Sequence, residues 1–454
     1  MFRKVLIANR GEIAVRIART CRELGVRSVG VYSTADRDPR VQRHFDEAVH
    51  IGPPASLRSY QNIPAVIEAA LLTGADAIHP GYGFLSEDPD FAEICADNGL
   101  TFIGPKPRQI AVLGDKSSAR RLMRDAGLPL LPGSVEPIAN TAAATTTAAA
   151  VGYPVIIKAV AGGGGKGMAV VRTPDELIPA YTRARDTARS VFGDDRVYLE
   201  RYLDRARHVE VQVLCDGHGN GIHLGTRDCS VQRRHQKLIE EGPAPALSTT
   251  TIDTMSDAAV RAALAVGYTG VGTFEFLVDE DENHYFMEIN TRIQVEHPVT
   301  EAITDVDLVR EQLFVAAGHT LGLTQQDIQP RGVAIECRVN GEDPDRDFVP
   351  TAGTLDRFDP PGGPFTRVDT HAFTGYALGP HYDSLLAKVI VWAPDREQAL
   401  NRMHRALAEF DVAGLGVATT IPFLQRVLAD PEFRKAAHCT ALVPRMQATK
   451  EAGG

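Results

Sequence analysis

Over the first hundred residues, short apolar runs alternate with segments of helical spacing, a pattern that fits a layered α/β fold. Val5-Leu6-Ile7-Ala8 is four residues long, too short for a buried helix and suited to a buried strand. Asn9-Arg10-Gly11 turns the chain. Ile13, Ala14, Ile17, Cys21 and Leu24 then recur at helical spacing until Gly25. Val29-Gly30-Val31-Tyr32 reads as the next strand, and Ala75 to Pro80 as another, closed by the turn Gly81-Tyr82-Gly83. Such alternation predicts a parallel, doubly wound sheet with its ligand edge at the strand C-termini. No G-x-G-x-x-G motif accompanies it, so a structural Rossmann-like layer and a catalytic one both remain open.

The 454 residues exceed what one core serves and imply two or three domains. Thr141 to Ala150 (TAAATTTAAA) is of low complexity and reads as an exposed helix start or loop. A strand is expected at residues 154–158, strands and hairpins from Val197 to Glu288, and a helix from Leu308 to Ala317. Beyond Gly332 strands return, and the last long helix is expected near Arg396 to Phe410, with a frayed tail after Ala448. No internal repeat is evident.

The formal net charge of -10 argues against binding to nucleic acid or an anionic membrane, both of which call for a basic field. It leaves room for anionic small substrates held by a local basic cluster. The six cysteines contain no C-x-x-C pair, which suits reduced thiols rather than a disulfide framework or a zinc site. No signal peptide and no bilayer-length apolar run is found, so a cytoplasmic location is expected.

Three segments carry chemistry. In the first, Lys158 and Lys166 flank the run Gly162 to Gly165. Glycines let backbone N–H groups approach phosphate oxygens, although a glycine run by itself is more often a linker. Its position between two strands and beside lysines favours phosphate binding. In the second, Gly272-Thr-Phe-Glu275-Phe and Phe286-Met-Glu288-Ile-Asn290 are separated by a polar turn and predict an antiparallel hairpin. Period-two alternation puts Glu288 and Asn290 on one face, with Glu275 able to meet them from the partner strand. Acids inside apolar strands are costly unless paired, and two carboxylates with an amide oxygen suit Mg2+. In the third, Asn290-Thr-Arg292-Ile-Gln294-Val295-Glu296-His297 brings a guanidinium able to hold an oxyanion and a carboxylate able to take a proton. Asp228 to Lys237 adds the basic groups Arg233, Arg234, His235 and Lys237. His297 is read as structural.

Together these segments resemble the biotin carboxylase family over nearly the whole chain. KVLIANRGEIAVRI at the start, HPGYGFLSE, the GDK at Gly114 to Lys116 and HYDSLLAK at His381 to Lys388 are similar to it as well. The glycine run and the Glu275/Glu288/Asn290 set would be shared with any ATP-grasp ligase. The stretch Arg292 to His297 resembles carboxylases and not amino-acid ligases.

The resemblance implies a Rossmann-like (pre-ATP-grasp) domain at 1–114, an ATP-grasp domain at 115–330 with a mobile lid at about 131–203, and a mixed α/β domain at 331–447. It implies ATP, Mg2+ (Mn2+ as an alternative) and biotin on a partner carrier protein. Lys116, Lys158, Gly164, Gly165, His208, Gln232 and His235 would serve ATP, with Glu200, Arg201, Tyr202 and Leu203 at the adenine hinge. Glu275, Glu288 and Asn290 would hold the metal. Lys237, Arg292, Gln294 and the Val295 backbone would cradle bicarbonate, and Glu296 would be the base. Arg338 would face the biotin ureido oxygen, with Tyr82 and Gly83 beside it.

No Ala-Met-Lys-Met motif occurs, so the biotin carboxyl carrier protein and the carboxyltransferase are expected on separate chains, with an acyl-CoA as final acceptor. The family implies a homodimer. Thr420, Thr351 and His381 depart from its usual pattern and bear on subunit or carrier contacts. Two other readings compete: an ATP-grasp ligase acting on a free small molecule, and a non-catalytic nucleotide-binding protein.

Overall fold

In the computed structural model, which describes residues 1–161 and 167–452, the N-terminal strands form one parallel sheet. β1 (Lys4–Ile7), β2 (Arg27–Ser33), β3 (Glu47–Gly52), β4 (Ala77–His79) and β5 (Thr101–Phe102) lie in the order β3-β2-β1-β4-β5. Val5, Leu6 and Ile7 are fully buried, as expected for a parallel strand covered on both faces. Helix Gly11–Glu23 packs Ile13, Ala14 and Ile17 inward. The strand order reverses between β1 and β4, which opens a crevice at their C-terminal ends. Asn9 Nδ2 ties the two loops there, donating to the carbonyls of Pro80 and Tyr82, each at 2.7 Å. Glu12 and Tyr82 therefore meet at the ligand edge that the strand–helix alternation predicts.

A smaller layer follows, with β6 (Val155–Ala159), β7 (Met168–Val171) and β8 (Val197–Arg201) in the antiparallel order β7-β6-β8. Thr141–Val151 is a full helix, capped by the Asn140 side chain and seated through Ala144 and Ala148. The low-complexity segment is thus neither a loop nor wholly exposed, because alanines four apart give it a narrow apolar stripe.

The remaining long strands build one eight-stranded antiparallel sheet. β9 (Arg207–Cys215), β10 (Gly221–Arg233), β11 (Gln236–Gly242), β12 (Gly270–Val278) and β13 (His284–Asn290) are joined by β14 (Val333–Asn340) and, farther along, by β19 (Thr366–Thr370) and β21 (Leu385–Ala393). The order is β13-β12-β9-β10-β11-β14-β21-β19. β11 pairs directly with β14, so the sheet runs on across position 330. Between β14 and the C-terminus, three short ladders join β15 (Glu342–Asp343) to β16 (Val349–Pro350), β17 (Gly353–Thr354) to β20 (Ala377–Leu378), and β18 (Arg357–Asp359) to β22 (Asp411–Ala413).

Helix Arg396–Glu409 covers β21 and β14. Among the described residues only shorter helices come after it. Ile421–Ala429 and Leu442–Ala452 follow it, each seated on buried residues such as Phe423, Leu424, Leu442 and Val443. The second of these carries helix into the segment read from sequence as frayed. Among the described residues no helix is long and apolar enough to cross a membrane.

Candidate active site

The site is built on a row of charged residues running across four strands. Arg227 on β10 lies opposite Glu210 on β9, Glu210 opposite Glu275 on β12, and Glu275 opposite Glu288 on β13. Residues directly opposite in an antiparallel pair share a face, so three acids stand in line. Like charges so placed repel, and each acid here has a cation. Arg227 Nε is 2.6 Å from Glu210 Oε1, and His208 Nε2 is 2.8 Å from Glu275 Oε2. Lys116 Nζ, at the start of helix Lys116–Asp125, is 2.6 Å from Glu288 Oε2. Burial disfavours the charge on Glu275, but Lys237 and His208 outweigh it and hold the group well below the ordinary carboxylate range.

Lys237 gathers the row. Its Nζ is 2.7 Å from Glu210 Oε2, 3.2 Å from Glu275 Oε1 and 2.5 Å from Glu296 Oε1. His208, Glu210 and Glu275 are spaced closely enough to ligate a cation, as are Glu210, Cys229 and Glu296. The Lys237 ammonium already supplies the positive charge between these groups. Burial opposes its protonation, yet the surrounding thiol and acids keep its pKa well above the lysine value.

Glu296 is fully buried and held from both sides, by Lys237 at Oε1 and by Arg338 Nη2 at 2.8 Å from Oε2. Burial pushes its pKa up; Lys237, Arg338 and Arg227 prevail and keep it ionised. Arg338 also meets Glu240 Oε1 at 2.6 Å. Arg292 sits alongside, with Nε 2.9 Å from Glu87 Oε2, Nη1 3.0 Å from Gln294 Oε1 and Nη2 3.1 Å from Asn290 Oδ1. Gln294 Nε2 and Asn290 Nδ2 both donate to Glu275 Oε1, at 3.1 and 2.8 Å. His297 is buried with Nδ1 2.7 Å from the Gln294 carbonyl, and burial pushes its pKa far down. Its imidazole is therefore held in the neutral form.

The nucleotide-side candidates gather on β6, β8 and the hairpin β10–β11. Lys158 Nζ is 2.7 Å from Glu200 Oε2, and Arg120 contacts the other oxygen of Glu200. The backbone N–H groups of Arg201 and Tyr202 bond Pro132 and Pro154, and Leu203 continues that segment half-buried. Gln232 Nε2 is 3.4 Å from His208 Nδ1. His235 stands exposed at the hairpin tip with φ 67°, beside Arg234 at φ 48°. Arg233 and Arg234 both pair with Asp347, at 2.5 and 2.9 Å, which pins that tip. Gly164 and Gly165 lie outside the described residues.

A cavity of about 340 Å³ lies at the crevice of the parallel sheet, lined by Glu12, Tyr82, Gly83, His381, Tyr382 and Asp383. Thr420, at the start of helix Ile421–Ala429, bonds the backbone of β14 on both sides of Val339. Its hydroxyl donates to the Arg338 carbonyl at 3.0 Å and accepts from Asn340 N at 2.9 Å.

Sequence reasoning assigned no role to Glu87, Glu210, Arg227, Glu240, Glu12 or Lys388. For Glu210 a signal was present: Val209-Glu210-Val211-Gln212-Val213 is an acid inside apolar alternation, as at Glu275. Glu275, Glu288 and Asn290 present hard oxygen donors on adjacent strands, and such a set fits a divalent cation such as Mg2+.

Residues 1–110 match the biotin carboxylase N-terminal domain, 115–324 the ATP binding domain of the carbamoyl-phosphate synthase L chain, and 336–445 the biotin carboxylase C-terminal domain. The chain is 53% identical to the biotin carboxylase of Nostoc sp. over 445 residues, covering 98% of this chain and 99% of the relative. Among solved structures it resembles the biotin carboxylase–β,γ-ATP complex of Campylobacter jejuni, with a TM-score of 0.95 and 44% identity over 98% and 99% of the two chains. It equally resembles the biotin carboxylase domain dimer of Hydrogenobacter thermophilus 2-oxoglutarate carboxylase, solved with MgADP, ADP and bicarbonate, at a TM-score of 0.94 and 45% identity over 98% of each chain. With all three segments matched in order and the likeness spanning nearly the full length, the chain belongs to the biotin carboxylase family.

Proposed function

We propose that this protein carboxylates biotin carried on a separate protein, using ATP, bicarbonate and Mg2+. This is the first half-reaction of an acyl-CoA carboxylase. The observation that carries the reading is Glu296, a fully buried carboxylate kept ionised between Lys237 and Arg338.

A base flanked by cations is weak in water. It serves here because bicarbonate enters the same positive field, where Lys237 and Arg292 lower the cost of its second charge. Glu296 takes the bicarbonate proton, and the freed oxygen attacks the γ-phosphorus of ATP. ADP leaves and carboxyphosphate forms. Gln294 and the Val295 backbone complete the cradle. Lys116 and Lys158 offset phosphate charge, His235 contacts the phosphates or ribose, and Glu200 to Leu203 border the adenine. Glu275, Glu288 and Asn290 would hold Mg2+, which when bound offsets charge on the phosphate oxygens. Carboxyphosphate then splits to CO2 and phosphate. The phosphate removes the ureido N–H proton, and the nitrogen attacks CO2. Arg338 stabilises the negative charge on the ureido oxygen, with Tyr82 and Gly83 beside the ring.

Carboxyphosphate is labile to water, so the segment at about 131–203 acts as a lid. The carrier, the carboxyltransferase and a homodimeric state follow from the family, one member of which was solved as a dimer. Light scattering is expected to give twice the monomer mass.

Phosphate release from ATP tests the reading. With Mg2+ and bicarbonate the rate should rise when free biotin is added. Bicarbonate dependence without any biotin effect would instead favour a ligase acting on another acceptor. ATP binding without turnover under any combination would remove the enzyme reading.

A further inference from the structure

Lys388 is a cation with no exposed surface, placed on β21, the strand beside the edge strand β19 of the long sheet. A charge so buried is costly unless paired and hydrogen-bonded. Its Nζ lies 2.9 Å from Glu12 Oε1 and donates to the Val295 carbonyl at 2.8 Å. The next acid, Asp369, is 4.0 Å away and already holds Arg367 at 2.6 Å. Glu12 is itself 3% exposed, and the same oxygen that takes Lys388 accepts the Tyr82 hydroxyl. One ammonium thus bridges the helix after β1, the Tyr82 turn after β4, and the loop between β13 and helix His297–Thr304.

The Val295 carbonyl and the Glu296 N–H belong to one planar peptide. Fixing that carbonyl fixes the plane from which the Glu296 side chain departs. The opposite end of the same link fixes Tyr82, which lines the cavity beside the site. We propose that Lys388 is a positioning residue that couples the biotin subsite to the peptide carrying Glu296. Through Glu12, seating a ligand against Tyr82 holds the base and the Val295 backbone in register with bicarbonate, and loss of the link leaves each subsite formed but unaligned. The inference rests on the roles given above to Tyr82, Val295 and Glu296.

Steady-state kinetics on the full chain with free biotin tests it. In Lys388→Met, biotin should stimulate ATP hydrolysis much less than in the wild type. KM for both biotin and bicarbonate should rise about tenfold or more, since a small misplacement of reacting groups is enough. Affinity for a non-hydrolysable ATP analogue should stay within about twofold, because the ATP-side groups are not in this link. Glu12→Gln keeps side-chain size and should give the same pattern, and the double variant should be no worse than Lys388→Met. If Lys388→Met does not fold, Glu12→Gln decides alone. Biotin stimulation and KM values like the wild type in a folded variant would overturn the coupling. So would additive losses, or an equal loss of ATP affinity, which would mark a general structural role. A wild type that never responds to biotin would instead fail the functional reading itself.

Discussion

Glu296 sits where three cations compete for one carboxylate. Truncating it leaves Lys237 and Arg338 without that partner and removes the proton acceptor. Glu296→Ala is therefore expected to lower bicarbonate-dependent ATP hydrolysis by about 100-fold or more, as loss of a general base does, with phosphate release as the measurement. Glu240 behaves in the opposite sense. Burial pushes its pKa up, to about 7, with Arg338 opposing and Glu296 reinforcing the shift. Glu336 lies directly opposite on β14 and is raised as well, chiefly by its own burial. A folded-state value above the unfolded one means that the native protein binds the proton more tightly. The resulting stability is full below the unfolded value and is lost as pH rises through the folded one. Stability should thus fall between about pH 4.5 and 7 on this group's account. Glu240→Gln is expected to flatten that part of the urea-midpoint profile; an unchanged slope would refute the assignment.

At the scale of elements, the hairpin β12–β13 was legible because its two apolar runs, polar turn and period-two acids are all local. The row joining it to Glu210 and Arg227 was not. It depends on the register of β9 against β12, whose strands are separated by more than forty residues of sequence, and no local pattern encodes that pairing. The helix Thr141–Val151 was only half read, since a run of alanine and threonine shows its apolar stripe only once Ala144 and Ala148 find a surface. The contacts of Thr420 were not legible for a similar reason: it reaches the backbone of β14 from the start of helix Ile421–Ala429. Thr420→Val keeps the shape but leaves the half-buried Asn340 N–H without its side-chain acceptor. It should destabilise the protein by about 1–3 kcal/mol in denaturant titration. Thr420→Ser, which restores the hydroxyl, should recover most of that loss.

Across the whole molecule, the order of three regions could be read in the sequence, but the continuity of the long sheet could not. β11 and β14 exchange backbone hydrogen bonds, and residues of both, with β21, share one core cluster. Separating the chain near position 330 would bare two strand edges and divide that core. A fragment ending there is expected to run as aggregate in size-exclusion chromatography, whereas the full chain stays discrete. The same continuity lets a lysine on β21 reach the loop that carries Glu296, so that groups from all three regions converge on one site.

That convergence is tested most directly by following carbon. The protein, incubated with radiolabelled bicarbonate, ATP, Mg2+ and free biotin, should form labelled carboxybiotin, and Arg338→Ala should reduce this label more than it reduces biotin-free ATP hydrolysis. Label that never reaches biotin while ATP is consumed in a bicarbonate-dependent way would contradict the account.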